Sequence, residues 1–141
     1  RGPQWDALGK RRETIVLVEA KSHVREFMSP PSAAKGESLL RIQSCLSQVQ
    51  SQLGAKPGPS WGSLYYQYVN RLAHLHFLRQ MGVDAHLLFV SFLNDEEVFG
   101  PKSREEWEVA YRCANYALGL AENHPLKRYV HHVYPDVRSL A

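Results

Sequence analysis

The segment spanning residues 14–23 limits the possible folds more than any other part of the chain. It is rich in β-branched residues, which favour an extended backbone: Thr14, Ile15, Val16 and Val18. Side chains alternate between the two faces of a strand, so Glu19 and Lys21 point the same way, roughly 7 Å apart along the chain. A carboxylate and an ammonium at the end of a buried strand are costly unless they are paired, hydrated or bound to a metal ion. The segment therefore predicts a strand whose end carries a candidate site.

A second carboxylate precedes this strand. Residues 4–8 predict a short strand that contains Asp6, and residues 9–12 supply a polar turn. The midpoint between Asp6 and Glu19 falls between residues 12 and 13, so a hairpin that turns there places the two carboxylates side by side. A tighter turn within the same segment would stagger them. The sequence leaves these two registers open.

The rest of the chain predicts helices that alternate with strands. In order, the pattern predicts a helix over residues 39–53 stopped by Gly54, a long helix from Ser60 to Met81, a strand over residues 83–93, a helix opened by a capping box at Ser103 and Glu106, and an edge strand over residues 127–134. The strand over residues 83–93 is apolar on both faces, which predicts a central strand covered on both sides. This order predicts an α/β fold, a mixed sheet flanked by helices.

Length and composition favour one domain with one core, spanning residues 1–141. The apolar runs are too short to cross a bilayer, and the formal net charge of +3 is compatible with a polyanionic partner. Cys45 and Cys113 each lie in an apolar helical pattern, which predicts buried, reduced thiols and a cytoplasmic location. The chain starts at Arg1 rather than Met, so we expect a trimmed start or a longer parent chain.

Two carboxylates that meet at one point repel each other and favour a divalent cation between them. Oxygen ligands suit Mg²⁺ or Mn²⁺, and such an ion can polarise a phosphate and lower the pKa of a bound water. A nearby lysine can orient that water or stabilise charge on the phosphate. Asp6, Glu19 and Lys21 therefore predict metal-dependent phosphodiester cleavage. The alternative is a surface pair in which Lys21 neutralises Glu19.

Asp6, twelve intervening residues and then Glu19-Ala20-Lys21 resembles the D…(D/E)-x-K signature of the PD-(D/E)XK, or restriction-endonuclease-like, nuclease superfamily. The resemblance implies a restriction-endonuclease-like core. It also implies that Asp6, Glu19 and the Ala20 carbonyl bind Mg²⁺ and that Lys21 is the catalytic lysine. This superfamily often has a helix with a further acidic residue before the first strand, and the sequence starts too late to show one, which leaves three alternatives: the helix is absent, trimmed or replaced. Residues 5–7, 18–23 and 65–73 resemble a group of bacterial proteins of unknown activity.

The long predicted helix carries one polar stripe on an otherwise apolar surface. Gln67, Asn70, Arg71 and His74 recur at helical spacing. One hypothesis is that this stripe simply faces solvent. The other is that it borders the metal site, with Gln67, Asn70 and Arg71 binding substrate, because arginine is well shaped for bidentate contacts with phosphate or carboxylate.

These patterns leave three hypotheses about function. The first is a Mg²⁺-dependent nuclease acting on nucleic acid, with DNA favoured over RNA as the substrate. The second is a non-catalytic module of the same fold that binds nucleic acid or a protein partner. The third is a structural subunit that forms a homodimer through its aromatic helix. None of the three involves a membrane.

Overall fold

The computed structural model describes residues 4–56 and 61–140. Within these residues the strands are β1 (Ala7–Arg11), β2 (Thr14–Lys21), β3 (Ala85–Ser91) and β4 (Val130–Val133). The α-helices are α1 (Gly36–Gln52), α2 (Tyr66–Gln80) and α3 (Arg104–Ala117). Short 3-10 helices lie between them, the first at Val24–Phe27 directly after β2. The predicted order of hairpin, helix, helix, strand, helix, strand is confirmed.

The four strands form one mixed sheet in the order β1-β2-β3-β4. β1 and β2 are antiparallel, whereas β2, β3 and β4 are parallel neighbours. Each parallel connection contains helices, as parallel strands require a crossover. The predicted α/β class with a mixed sheet is therefore confirmed.

The hairpin of β1 and β2 has the first of the two registers that the sequence left open, the one centred between residues 12 and 13. Ala7 pairs with Val18 and Arg11 with Thr14, so the chain turns at residues 12 and 13. The predicted strand over residues 4–8 and turn over residues 9–12 had wrong boundaries, because residues 9–11 belong to β1. β1 is an edge strand, and the basic side chains near its end stay exposed to solvent there.

Both α2 and α3 pack on the same face of the sheet. This face carries Leu17 and Leu87, which are 2% and 0% exposed, and contacts Trp107 and Tyr68 of the helices. The opposite face, which includes Val18 of β2 and the alternate residues of β3, is only half-buried. β3 is central, as predicted, but the prediction that it is covered on both sides was wrong, since both helices lie on one side.

The start of α2 differs from the prediction, whereas α3 starts at the predicted Ser103 cap with only half of the predicted capping box. α2 begins at Tyr66 because Tyr65 has a φ of 63°, a left-handed conformation that does not continue into a helix, and the predicted start at Ser60 lies outside the described residues. At α3, the Ser103 hydroxyl accepts the Glu106 N–H at 3.3 Å, as in a capping box. The Glu106 carboxylate, however, accepts from the N–H of Lys102.

The remaining boundaries follow the sequence with small shifts. α1 ends before Gly54, whose φ of 66° stops the helix as predicted. β4 is shorter than the predicted residues 127–134, because a 3-10 turn occupies its start. The prediction of buried thiols was wrong. Cys45 and Cys113 are both exposed, since each lies on the outer side of its helix.

Candidate active site

The first site carboxylate lies just before β1 and beside the end of β2. The Asp6 N–H donates to the Val18 carbonyl at 3.2 Å, one residue out of step with the β1–β2 register, which ends at Ala7 and Val18. The Asp6 carboxylate also accepts a hydrogen bond from the Ala20 N–H at 2.7 Å. The hairpin therefore brings together Asp6 and Ala20, two of the residues that the sequence predicted as metal ligands.

The Ala20 backbone borders the same place. In a strand, the N–H and the C=O of one residue point toward the same neighbouring strand. The Ala20 N–H meets Asp6, so the Ala20 carbonyl is directed to the Asp6 side as well. The β1–β2 pairing ends at Ala7 and Val18, which leaves this carbonyl beyond the ladder. Ala20 can thus contribute a carbonyl oxygen to the site.

Glu19 is a buried carboxylate held between two cations. It is only 3% exposed, because it points from β2 toward α2 under the helix layer. Lys21 Nζ donates to Glu19 Oε1 at 2.7 Å, and Arg71 Nε donates to Glu19 Oε2 at 2.6 Å. The spacing of Glu19 and Lys21 along β2 accounts for the first contact, and the polar stripe of α2 accounts for the second.

The three predicted substrate-binding residues of α2 do not lie equally close to the site. Gln67 Oε1 is 3.5 Å from Lys21 Nζ, and the Gln67 N–H donates to the buried Ser29 hydroxyl at 2.7 Å. Gln67 and Arg71 both line the site, as the second hypothesis about the stripe predicts. Asn70, half-buried on the same helix, is not among the lining residues.

A depression of about 490 Å³ opens over these residues. Its charged lining consists of three carboxylates and three cations: Asp6, Glu19, Glu26, Lys21, Arg25 and Arg71. Their formal charges therefore cancel, and the depression alone has no excess positive charge to attract a phosphate.

Sequence reasoning missed six residues of this lining: Gln4, Arg25, Glu26, Met28, Ser29 and Pro30. For Glu26 a signal was present, since His23 and Glu26 have capping-box spacing and cap the 3-10 helix after β2. Ser29 gave no such signal. Its position depends on the path of the loop. It is buried beside the start of α2, where its hydroxyl accepts the Gln67 N–H.

The segment before β1 contacts the Arg71 guanidinium and helps to fix its position. Its Nη2 donates to the Gln4 carbonyl at 2.8 Å, and its guanidinium lies 4.7 Å from the centroid of the Trp5 ring. Trp5 also stacks on His74, with ring centroids 5.6 Å apart. Burial, and then the Arg71 charge, lower the pKa of His74, which keeps it neutral beside the guanidinium.

The donor set suits a hard divalent cation, because Asp6, Glu19 and the Ala20 carbonyl all offer oxygen. Both Glu19 oxygens, however, already accept hydrogen bonds from cations. Within the described residues, no group of three or more His, Cys, Asp or Glu side chains is arranged to hold a metal ion. Any site here would thus depend on two carboxylates and the backbone.

Comparisons with protein-family models, with curated proteins and with solved structures found no match. Across residues 4–56 and 61–140, no helix is long and apolar enough to span a membrane.

Proposed function

We propose that this chain is a Mg²⁺-dependent phosphodiesterase that acts on nucleic acid through a site of the PD-(D/E)XK type. DNA is favoured over RNA as its substrate. The observation that carries the proposal is the hydrogen bond of 2.7 Å from the Ala20 N–H to the Asp6 carboxylate, which holds Asp6 beside the end of β2, where Glu19 and Lys21 lie. The observation supports the proposal because the signature needs its first carboxylate beside the strand that carries E-x-K.

In this proposal Asp6, Glu19 and the Ala20 carbonyl hold Mg²⁺ or Mn²⁺. The ion supplies charge that polarises the phosphate and lowers the pKa of an attacking water. Lys21 lies beside Glu19 and stabilises negative charge that develops on the phosphate. The side-chain charges of the depression cancel, so a bound divalent ion would make it positive. A positive site attracts the negatively charged phosphodiester.

One observation favours a second function, a non-catalytic module that binds nucleic acid or protein. Lys21 and Arg71 satisfy both Glu19 oxygens, an arrangement that is complete without a metal ion. If these ion pairs serve only the fold, Glu19 would stay bound to its two cations and the depression would bind a partner without cleaving it.

A comparison of two carboxylates tests the proposal. Glu19→Gln removes the charge of the buried site residue with little change in volume. Asp84→Asn removes a carboxylate at the opposite end of the sheet, which pairs with Arg79 at 2.6 Å and lies away from the depression. Mn²⁺ binding is measured by calorimetry, and cleavage is followed on supercoiled plasmid with Mg²⁺ or Mn²⁺.

We expect wild type and Asp84→Asn to bind Mn²⁺ and to cleave. We expect Glu19→Gln to lose detectable binding and to cleave at least about 100-fold more slowly, the loss typical when a group that stabilises the transition state is removed. Intact plasmid and no Mn²⁺ binding in wild type would reject the nuclease and leave the binding module.

A further inference from the structure

Arg71 lies between Glu19 and the segment before β1 that carries Asp6, since it contacts both Glu19 and the Gln4 carbonyl. Its Nε is 2.6 Å from Glu19 Oε2, and its side chain is only 11% exposed. Mg²⁺ takes oxygen ligands at about 2.1 Å and demands regular geometry, so an ion on Oε2 would lie next to a guanidinium of the same sign. A cation at that oxygen and Arg71 in its present place therefore exclude each other.

The other cation on Glu19 is less able to move. Lys21 projects from β2 two residues beyond Glu19, so the strand fixes its direction, and Gln67 lies at 3.5 Å from its Nζ. Both cations line the open depression, but Arg71 reaches Glu19 from a different element, α2, with a longer side chain. Arg71 also has partners other than Glu19, the Gln4 carbonyl and the Trp5 ring, so it is the cation that can leave Oε2 and still be held at the site.

We propose that Arg71 is the cation that holds Glu19 in the metal-free protein, that metal binding displaces its guanidinium from Oε2, and that the displaced guanidinium binds the substrate phosphate. This inference rests on the proposed metal site. The contacts with the Gln4 carbonyl and the Trp5 ring keep the guanidinium close while its Nε changes partner. Metal binding and phosphate binding are thereby coupled through one side chain.

The proposal predicts that removal of Arg71 has opposite effects on two measurements. In Arg71→Gln the metal no longer competes with a guanidinium, so the Kd for Mn²⁺ falls by about tenfold or more, the scale of a lost charge-assisted hydrogen bond. The maximal cleavage rate falls by about 100-fold, because no guanidinium reaches the phosphate. A role limited to stability would not tighten metal binding.

The chain offers a matched control on the same helix. Arg79 also pairs with a carboxylate, Asp84, at 2.6 Å and also lies on an aromatic ring, that of Tyr129 at 3.8 Å. It does not line the depression. Arg79→Gln therefore removes the same charge, and any general effect of charge on cation binding appears in both variants. We expect Arg79→Gln to bind Mn²⁺ and cleave like wild type.

The experiment is Mn²⁺ calorimetry and plasmid cleavage as a function of Mn²⁺ on wild type, Arg71→Gln, Arg71→Lys and Arg79→Gln. Arg71→Lys keeps the charge but loses the planar fork, so it shows a smaller shift in the same direction and serves if Arg71→Gln does not fold. Tighter Mn²⁺ binding with slower cleavage, in the Arg71 variants alone, supports the proposal.

Two other outcomes overturn it, and they differ. If wild type binds Mn²⁺ and the Arg71 variants bind it with the same Kd, the metal site stands and the displacement of Arg71 is wrong. If no protein in the set binds Mn²⁺, the proposed metal site fails and the inference fails with it.

Discussion

Two buried polar clusters lie side by side on the helix-covered face of the sheet, and they differ in charge and in access. The charged cluster consists of Glu19, Lys21 and Arg71, and it lines the open depression. The neutral cluster consists of Ser91, Tyr111 and His132. Ser91 pairs in register with Lys21, so the two clusters are neighbours across β2 and β3.

The neutral cluster is closed and uncharged. The Ser91 and Tyr111 hydroxyls share a hydrogen bond of 2.9 Å, and the ring of His132 meets that of Tyr111 edge to face at 4.3 Å. Burial raises the pKa of Tyr111 and lowers the pKa of His132 to about 4, so both groups are neutral at pH 7. At the end of β3, the hydrogen-bonding need of the buried Ser91 side chain is therefore met by a neutral partner, without any charge.

The comparison teaches that packing alone does not require charge at the end of β2. On the neighbouring strand β3, the buried polar groups are two hydroxyls that bond to each other. Glu19 on β2 instead carries a charge, and the cost of burying it is offset only by two cations. Charge that is buried at a cost, yet faces a depression, is typical of a functional site. This contrast is the physical argument for placing function at the end of β2.

The largest expected effect is on stability, and it comes from Glu19→Leu. The change leaves Lys21 and Arg71 without their shared carboxylate, and loss of one partner from a buried ion pair lowers the free energy of unfolding by about 3 kcal/mol. Urea unfolding without divalent cations measures it. Asp84→Leu is the control, with a smaller loss, because Asp84 pairs at the surface. Equal losses would remove the distinction between a buried and an exposed carboxylate.

A pH effect of similar size is expected from the neutral cluster. The unfolded chain protonates His132 near pH 6.5, but the folded chain does so only near pH 4, because burial disfavours the charged ring. Acid therefore favours unfolding, and the free energy of unfolding falls by up to about 3 kcal/mol as the pH drops from 6.5 to 4. Above pH 6.5 His132 has no such effect.

The measurement is the difference in pH dependence between wild type and His132→Gln. Other histidines with lowered pKa values, among them His74 and His124, titrate alike in both proteins and cancel. His131→Gln, on the other face of β4, should keep most of the wild-type dependence, because burial rather than the His131 charge is the main cause of the lowered His132 pKa. A wild-type slope in His132→Gln would contradict the assignment.

The charged cluster was largely predictable from sequence, because its two main contacts follow from periodicity. The spacing of Glu19 and Lys21 on a strand sets one ion pair. The midpoint of the hairpin also predicts that Asp6 lies near the end of β2, where its carboxylate accepts the Ala20 N–H. The stripe on α2 pointed to Arg71 and Gln67. The same periodicity included Asn70, which is not part of the lining, because spacing alone does not fix where a helix meets the site.

The neutral cluster was not predictable, because it joins residues distant in sequence. Nothing local pairs Ser91 with Tyr111, and the path of β4 decides which of His131 and His132 faces the helices. The single-sided helix layer was missed for a related reason. Apolar residues on both faces of β3 indicate burial, but β-branched and apolar residues also occur on a half-buried face.

The smallest expected effect sharpens the comparison most, because it separates stability from function. Tyr111→Phe removes the hydroxyl that satisfies Ser91 and lowers the free energy of unfolding by about 1 kcal/mol. The double variant with Ser91→Ala removes both partners and recovers part of that loss. Mn²⁺ affinity and cleavage should match wild type in both, since neither side chain lines the depression. Slower cleavage at unchanged stability would instead make the neutral cluster part of the site.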